Sequence, residues 1–110
     1  FLISAHPLDL VEVPPGTVTA DAIRQHARQR VRMAGWLIAA KLLATKTRRQ
    51  TMKMLTLEDR TGTFEACLFP RMYERLAPRT LTRGPYLLTG RVDMSLGSPT
   101  LNVTEVEVLA

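Results

Sequence analysis

The sequence is poor in the residues from which several classes of protein are built. Its 110 residues include one cysteine, Cys67, which excludes an internal disulfide and a cysteine-rich zinc site. A lone cysteine is typical of a reducing compartment, so we expect a cytoplasmic location. No apolar run reaches the roughly 18 residues that a membrane-spanning helix needs, so no membrane partner is expected. Aromatic residues make up only 5% of the chain, which leaves few rings for stacking on a ligand.

Acidic residues are absent from one long stretch of the chain. Residues 24–53 carry nine lysines and arginines and no Asp or Glu, whereas the remainder carries six cations and ten acids. The excess of +5 therefore comes from one window of thirty residues. Such an asymmetry is typical of a protein with a polyanionic partner such as nucleic acid. A solvated basic face on a protein of high pI is the alternative.

Alternation of apolar and polar side chains begins at Arg30 and predicts a long strand. Val31, Met33 and Leu37 fall on one face, and Arg32 and Trp36 fall on the other. Trp36 could be exposed beside the basic residues, on the face of Arg32, but its apolar neighbours favour a place in the core. Both faces are largely apolar, which indicates a curved strand that serves two parts of one sheet.

Two local features indicate where strands deviate from regular geometry. Gly35 lies in the middle of the first strand and predicts a bend there. Val103 and Val106 are three residues apart, which breaks strict alternation in the last strand and predicts a bulge.

Turn and helix signals separate the later elements. Asp59 and Gly62 occupy the first and fourth positions of a type I turn, so the strands on either side are predicted to form a hairpin. Pro70 opens a short helix and Pro78 stops it. The predicted elements are a short helix at 20–29, strands beginning at 30 and at 51–58, 63–69, 86–94 and 100–109, and a helix at 71–76.

This order of elements predicts an all-β fold. Three strands, a short helix and two more strands are the parts of a five-stranded Greek-key barrel, the OB-fold. Residues 1–29 read as a lead-in segment with a short helix. Within it, residues 1–18 are punctuated by three prolines in the first fifteen residues and read as irregular and outside the core. Residues 30–110 read as the barrel domain.

Several segments together carry a resemblance to a known family. They are Ala34-Gly35, residues 52–62 (MKMLTLEDRTG), residues 64–70 (FEACLFP), Tyr73, residues 88–92 (LTGRV) and the lead-in residues 4–8 (SAHPL). In these segments the chain resembles the OB domain of the bacterial DNA polymerase III alpha subunit family, a resemblance that covers nearly the whole chain.

The resemblance implies a role in DNA replication. The parent would be a DNA-directed DNA polymerase whose catalytic carboxylates lie in another domain. This piece would hold single-stranded template without sequence preference, and it would not itself be an enzyme. Its implied partners are single-stranded DNA, the remaining polymerase domains and other replisome subunits. The alternative is a protein-docking module within the polymerase or replisome.

The candidate binding residues are mostly cations around the loop between the first two strands. In OB-folds that loop and the neighbouring strand faces line the ligand groove, where Lys and Arg neutralise phosphates. Met54 is a candidate for the groove floor, and Arg91 for an extension of the cationic track. The full set is Lys41, Lys46, Arg48, Arg49, Lys53, Met54 and Arg91. Of the aromatic residues, Phe64 is expected in the core, and Phe69 and Tyr73 are expected to pack the helix onto the barrel.

The sequence gives little support for catalysis. His6 and His26 have no partner at a metal-ligand spacing, and Glu58 and Asp59 are adjacent in a strand, so their side chains point in opposite directions. Cys67 is expected to be buried and inert. We therefore expect no catalytic residues, no metal and no cofactor.

Overall fold

Five strands close into a barrel. The computed structural model describes residues 11–45, 50–95 and 97–109. The strands are β1 (Arg30–Ala44), β2 (Thr51–Asp59), β3 (Gly62–Leu68), β4 (Tyr86–Asp93) and β5 (Thr100–Val108), with helix α1 (Pro70–Leu76) between β3 and β4. Their order around the barrel is β1-β2-β3-β5-β4, and β1 also pairs with β4. The predicted OB-fold is therefore confirmed.

Strand β1 serves two parts of the barrel, as its double apolar pattern predicts. Residues 30–35 pair with β4, and residues 36–44 pair with β2. At the change of partner, a Cβ on Gly35 would lie 2.9 Å from the Cβ of Leu57 and 3.0 Å from the Phe64 ring. Only glycine lets the strand bend this closely over the core. The register with β2 then shifts between Leu37 and Ala39.

The β2–β3 hairpin turns at Asp59, as predicted. One carboxylate oxygen of Asp59 accepts hydrogen bonds from the N–H groups of Thr61 (2.8 Å) and Gly62 (3.2 Å) and from the Thr61 hydroxyl (2.7 Å). The other oxygen accepts one from the N–H of Ala20 at 2.7 Å. The buried carboxylate thus joins the hairpin turn to the segment that precedes the barrel.

The bulge predicted in β5 is present at Thr104. Thr89 pairs with Glu105, but Gly90 pairs with Val103, so Thr104 is the extra residue. Gly90 permits the close approach of the strands here, because a Cβ at this position would lie 2.2 Å from the carbonyl oxygen of Asn102.

The core is apolar and fills the barrel. Its fully buried side chains include Met33, Leu55, Leu57, Leu88 and Tyr86. The expectation that Phe64 lies in the core is confirmed, since it is 3% exposed. Among the described residues no helix is long and apolar enough to cross a membrane.

The lead-in segment contributes more to packing than the sequence indicates. Ala20–His26 forms a 3-10 helix rather than a longer helix reaching residue 29, and the Thr19 hydroxyl donates to Asp21 instead of capping the helix. Ala20 and Ile23 belong to the core, and Val18 packs against it. The expectation that residues 1–18 stay outside the core is therefore wrong for Val18, whose N–H donates to the carbonyl oxygen of Arg32 at 2.8 Å and holds this residue against the barrel. The hydrogen bond from Ala20 to Asp59 holds the 3-10 helix there as well.

Helix α1 begins at Pro70, as predicted, and is followed by a 3-10 helix at Ala77–Thr80. Tyr73 packs against the core, which confirms its expected role. Phe69 differs from expectation: it precedes the first turn in an extended conformation and is 38% exposed.

Candidate nucleic-acid interface

Strand register decides which of the predicted cations share a surface. Directly opposite residues of neighbouring strands point to the same side of the sheet. Lys41 of β1 lies opposite Met54 of β2, and Leu43 lies opposite Met52, all on the outside of the barrel. Together with Trp36 and Thr56, these outward side chains form a surface that we call the hairpin face.

Trp36 lies on the hairpin face and not in the core. It is half-buried and opposite Glu58, on the side of β1 away from the buried Met33 and Leu37. The preference for a core position is therefore wrong, because alternation outweighs the apolar character of the neighbours. The same alternation, applied strictly, would have placed this ring outside.

Lys53 does not share a surface with Lys41, although it lies opposite Leu42, the next residue along β1. Its ammonium group donates to the carbonyl oxygen of Thr80 at 3.1 Å and to the Thr80 hydroxyl at 2.9 Å. Partial burial lowers the pKa of this amine. Lys53 thus links β2 to the second 3-10 helix through hydrogen bonds, and it points away from the surface on which Lys41 lies.

The remaining loop cations, Lys46, Arg48 and Arg49, lie outside the described residues. On either side of them, the N–H of Thr45 donates to the carbonyl oxygen of Gln50 at 2.8 Å, and the N–H of Gln50 donates to the Thr45 hydroxyl at 3.1 Å. Thr45 and Gln50, which flank this basic segment (residues 46–49), therefore lie close together at the end of the hairpin face. A role for its three cations in binding stays a prediction.

Acidic side chains lie toward the other end of the hairpin face. Glu65 of β3 is opposite Thr56 and accepts a hydrogen bond from the Thr56 hydroxyl at 2.9 Å. Glu58 lies one step further, opposite Trp36. Among the described residues, the face is thus positive at Lys41 and negative near the turn between β2 and β3.

Arg91 lies on a different side of the barrel. It is exposed on β4, opposite Arg30 of β1 and opposite Asn102 of β5. Arg32 is exposed two residues along β1, and Arg28 lines the same depression as Arg91 and Asn102. We call the surface formed by Arg28, Arg30, Arg32, Arg91 and Asn102 the arginine face. The sequence interpretation missed its first three arginines, although the alternation in β1 places Arg30 and Arg32 outside.

Cys67 is buried, as expected, at 2% exposure. Burial and, secondarily, the charge of Asp93 raise the pKa of its thiol to about 11. A thiol with this pKa remains protonated near neutral pH and is a poor nucleophile.

Acid, histidine and cysteine side chains do not converge in the described part of the chain. Across residues 11–45, 50–95 and 97–109, no three of them come together in a way that could hold a metal ion. His26 has Gln29 as its hydrogen-bond partner, with 2.9 Å between ring nitrogen and amide oxygen. His6 lies outside the described residues.

Comparison with known families gives one match over most of the chain. The sequence profile of the OB-fold nucleic acid binding domain family matches residues 31–109, from the start of β1 to the end of β5. No curated protein matches the chain.

Solved structures with low sequence identity have the same fold. Yeast Stn1 and Ten1 match with a TM-score of 0.68 and 13% identity, over 86% of this chain and 62% of that one. Asparaginyl-tRNA synthetase from Pyrococcus horikoshii matches with a TM-score of 0.63 and 18% identity; 84% of this chain corresponds to 22% of the synthetase. The second OB-fold domain of replication protein A from Methanococcus maripaludis matches with a TM-score of 0.54 and 12% identity, over 83% and 94%.

Proposed function

The chain belongs to the family of OB-fold nucleic acid binding domains, and on this premise we propose that it binds single-stranded nucleic acid on the hairpin face without reading its sequence. The observation that carries the proposal is the pairing of Lys41 with Met54 on the outside of β1 and β2, where the barrel presents a cation beside an apolar surface. Binding of a single strand needs both, because phosphates require cations and unstacked bases require apolar or aromatic contacts.

The apolar part of the hairpin face is adequate for contact with bases. Leu43 is 39% exposed, and Met52 and Met54 are partly exposed. Methionine adapts its shape to different partners, so such a surface tolerates any base. A contact of this kind contributes affinity but no sequence preference.

The distribution of charge on the hairpin face favours one end of it for the bound strand. Phosphates are attracted to Lys41 and to the basic segment that follows β1, and they are repelled by Glu65. We expect the strand to cross the end of the hairpin face near Lys41 and to avoid the end near the hairpin turn.

The finer proposal is that the ligand is template DNA and that the parent protein is a DNA polymerase III alpha subunit. Its support is the resemblance carried by residues 52–62, 64–70 and 88–92, which lie in β2, β3 and β4 of the barrel. In this role the module raises the local concentration of template at a catalytic centre in another domain. The module itself performs no chemistry.

A second candidate function, docking onto another domain or subunit, has a separate observation in its favour. Ile38 and Leu81 line one depression beside Lys53 and are 38% and 78% exposed, and the neighbouring Leu42 is 58% exposed. Exposed apolar side chains in one place are typical of protein contacts. Binding there would depend little on salt, whereas binding of nucleic acid weakens steeply as salt rises.

The test compares Lys41→Ala with Arg71→Ala, which removes one exposed cation from α1 instead. Each variant is titrated with a deoxythymidine oligomer of roughly 12 nucleotides, within the range of about 4–16 that one OB fold occupies. Lys41→Ala should reduce the slope of log affinity against log salt by about 0.7, the contribution of one phosphate contact on a single strand. Arg71→Ala should leave the slope unchanged.

Equal slopes for the two variants would contradict the proposed site, because the effect would then follow from net charge alone. Met54→Ala is the complementary variant: it should weaken binding at every salt concentration without changing the slope. Thermal melting of each variant checks that the barrel is intact.

A further inference from the structure

We propose that the arginine face binds the phosphate backbone of a nucleic-acid duplex, as a second surface separate from the hairpin face. This inference does not depend on the function proposed for the hairpin face, because none of its residues lies there.

The strand register places several arginines at neighbouring positions on one surface. Arg30 and Arg91 are directly opposite each other on neighbouring strands, and both are exposed. Side chains in that relation start about 5 Å apart. Arg32 follows Arg30 on the same side of β1, about 6.6 Å along the strand.

Arg28 extends this group because of an unusual backbone conformation. Its φ of 65° lies in the left-handed region, which arginine rarely adopts. Its N–H donates to the carbonyl oxygen of Val92 at 2.8 Å, and the N–H of Val92 donates to that of Gln29 at 2.9 Å. These two bonds continue the pairing with β4 beyond the start of β1 and hold Arg28 at the depression that Arg91 also lines.

The positive charge of this surface is not neutralised within the described part of the chain. There, the guanidinium groups of Arg28, Arg30 and Arg91 form no ion pair with a carboxylate. Asp93 lines the same depression, and the hydrogen bond that its carboxylate accepts from the N–H of Ser95 at 2.9 Å is the main cause of its lowered pKa. This one negative charge is outnumbered by the arginines, so the surface remains positive. The nearest acid on β5, Glu105, is opposite Thr89 rather than Arg91.

Unpaired like charges on opposite strands cost stability. A bound anion would offset that cost, and phosphate suits the arrangement because guanidinium groups bind its oxygens in a bidentate manner. Asn102, next to Arg91 on β5, adds an amide that can donate to another phosphate oxygen.

The composition of the arginine face favours nucleic acid over a protein. Protein interfaces are anchored by buried aromatic or large apolar side chains. Among the described residues, the exposed large apolar side chains lie elsewhere; they are Ile38, Leu42, Leu43, Phe69, Leu81 and Val108. A surface with cations and an amide but no apolar anchor fits a ligand bound through charge.

The same composition favours a duplex over a single strand. Single-strand sites combine cations with rings or apolar side chains on which bases stack. None of the five residues of the arginine face offers a ring or an apolar side chain, and Met94, which lines the same depression and is partly exposed, packs against the core. The hairpin face, in contrast, contains a tryptophan and two methionines. A duplex keeps its bases stacked inside and offers phosphates at high density outside, so cations alone suffice to bind it.

The experiment compares Arg30→Ala/Arg91→Ala with the matched control Arg71→Ala/Arg75→Ala, which removes two exposed arginines from α1. The probes are a mixed-sequence DNA duplex, a deoxythymidine oligomer and poly-glutamate. In the first variant, the salt slope for the duplex should fall by about 1.8, the value for two phosphate contacts on B-DNA. The slope for the single strand should not change. The control variant should match the wild type with every probe.

Four results would overturn the proposal: no binding of the duplex by the wild-type chain, an equal loss in the control variant, a loss confined to the single strand, or binding of poly-glutamate as tight as that of the duplex. Arg30→Lys/Arg91→Lys separates charge from folding, because it keeps the charge and should restore most of the salt slope. Lys41→Ala should show the reverse pattern, with the single strand affected and the duplex not. Failure on one face is therefore distinguishable from failure on the other.

Discussion

The cations on the two halves of β1 have different neighbours. On the C-terminal half, Lys41 stands beside Met54 with acids nearby, on a face that mixes apolar, positive and negative side chains. On the N-terminal half, Arg30 stands opposite Arg91, with no apolar side chain between them. Position on the barrel, more than the number of cations, therefore determines what each surface can bind. A mixed surface suits unstacked bases, and a purely cationic one suits phosphates.

Both surfaces depend on the bend at Gly35, so the largest effect is expected there. Gly35→Val would place new atoms within 3 Å of Leu57 and the Phe64 ring. Overpacking of this kind costs about 1–3 kcal/mol, and we expect the upper end because the contacts are to buried groups of the core. Urea denaturation measures the loss, with Ala39→Val, at an exposed position of the same strand, as the control. Equal stability of the two variants would show that the bend does not require glycine.

The next largest effect is expected for the basic segment, residues 46–49, and it concerns the binding of a single strand. Replacing Lys46, Arg48 and Arg49 together by alanine removes the densest positive charge of the chain. The salt slope for a single strand should fall by roughly 2, about 0.7 for each phosphate contact, and the loss should be similar for every sequence. An unchanged slope in a folded variant would remove these residues from the path of the strand.

A smaller effect of opposite sign is expected at Glu65. Glu65→Gln removes a negative charge from the hairpin face and keeps a hydrogen-bond acceptor for Thr56. Affinity for a single strand should rise roughly twofold, within the about 0–1 kcal/mol that exposed charges contribute, and affinity for a duplex should not change. Glu74→Gln on α1 is the control. A rise for both ligands, or for the control as well, would indicate a general effect of net charge.

The smallest effect is expected at Lys53, which distinguishes a structural cation from a binding one. Burial lowers its pKa in the folded state below the ordinary 10.5, so the unfolded state holds its proton more tightly. The contribution of Lys53 to the free energy of unfolding should therefore rise as the pH approaches 10.5. The difference in unfolding free energy between wild type and Lys53→Met, measured at several pH values, should show this rise. A difference that falls over the same range would contradict the assigned cause.

Local patterns in the sequence predict the barrel well. The turn at Asp59 and Gly62, the bend at Gly35 and the bulge near residue 104 each follow from a short run of residues, because each obeys a local rule of backbone geometry. These features predict where the strands lie along the chain and, through alternation, the side of the barrel on which each residue lies.

The site is less predictable, because it depends on pairs that are distant in sequence. Arg30 and Arg91 meet only through the register of β1 with β4, and no local pattern gives that register. The Lys53 amine reaches Thr80, 27 residues away, through a connection whose path the sequence does not specify. The 3-10 conformation of Ala20–His26 likewise follows from its attachment to Asp59, a tertiary contact.

The most direct test of two separate nucleic-acid surfaces is mapping of amide chemical shifts by NMR, first with a deoxythymidine oligomer and then with a DNA duplex. The structure predicts that the single strand shifts the amides of Lys41, Met54 and their neighbours in β1 and β2. The duplex should instead shift the amides of Arg28, Arg30, Arg91 and Asn102. Shifts of one common set of amides with both ligands, or shifts on neither face, would contradict the assignment of one surface to each ligand.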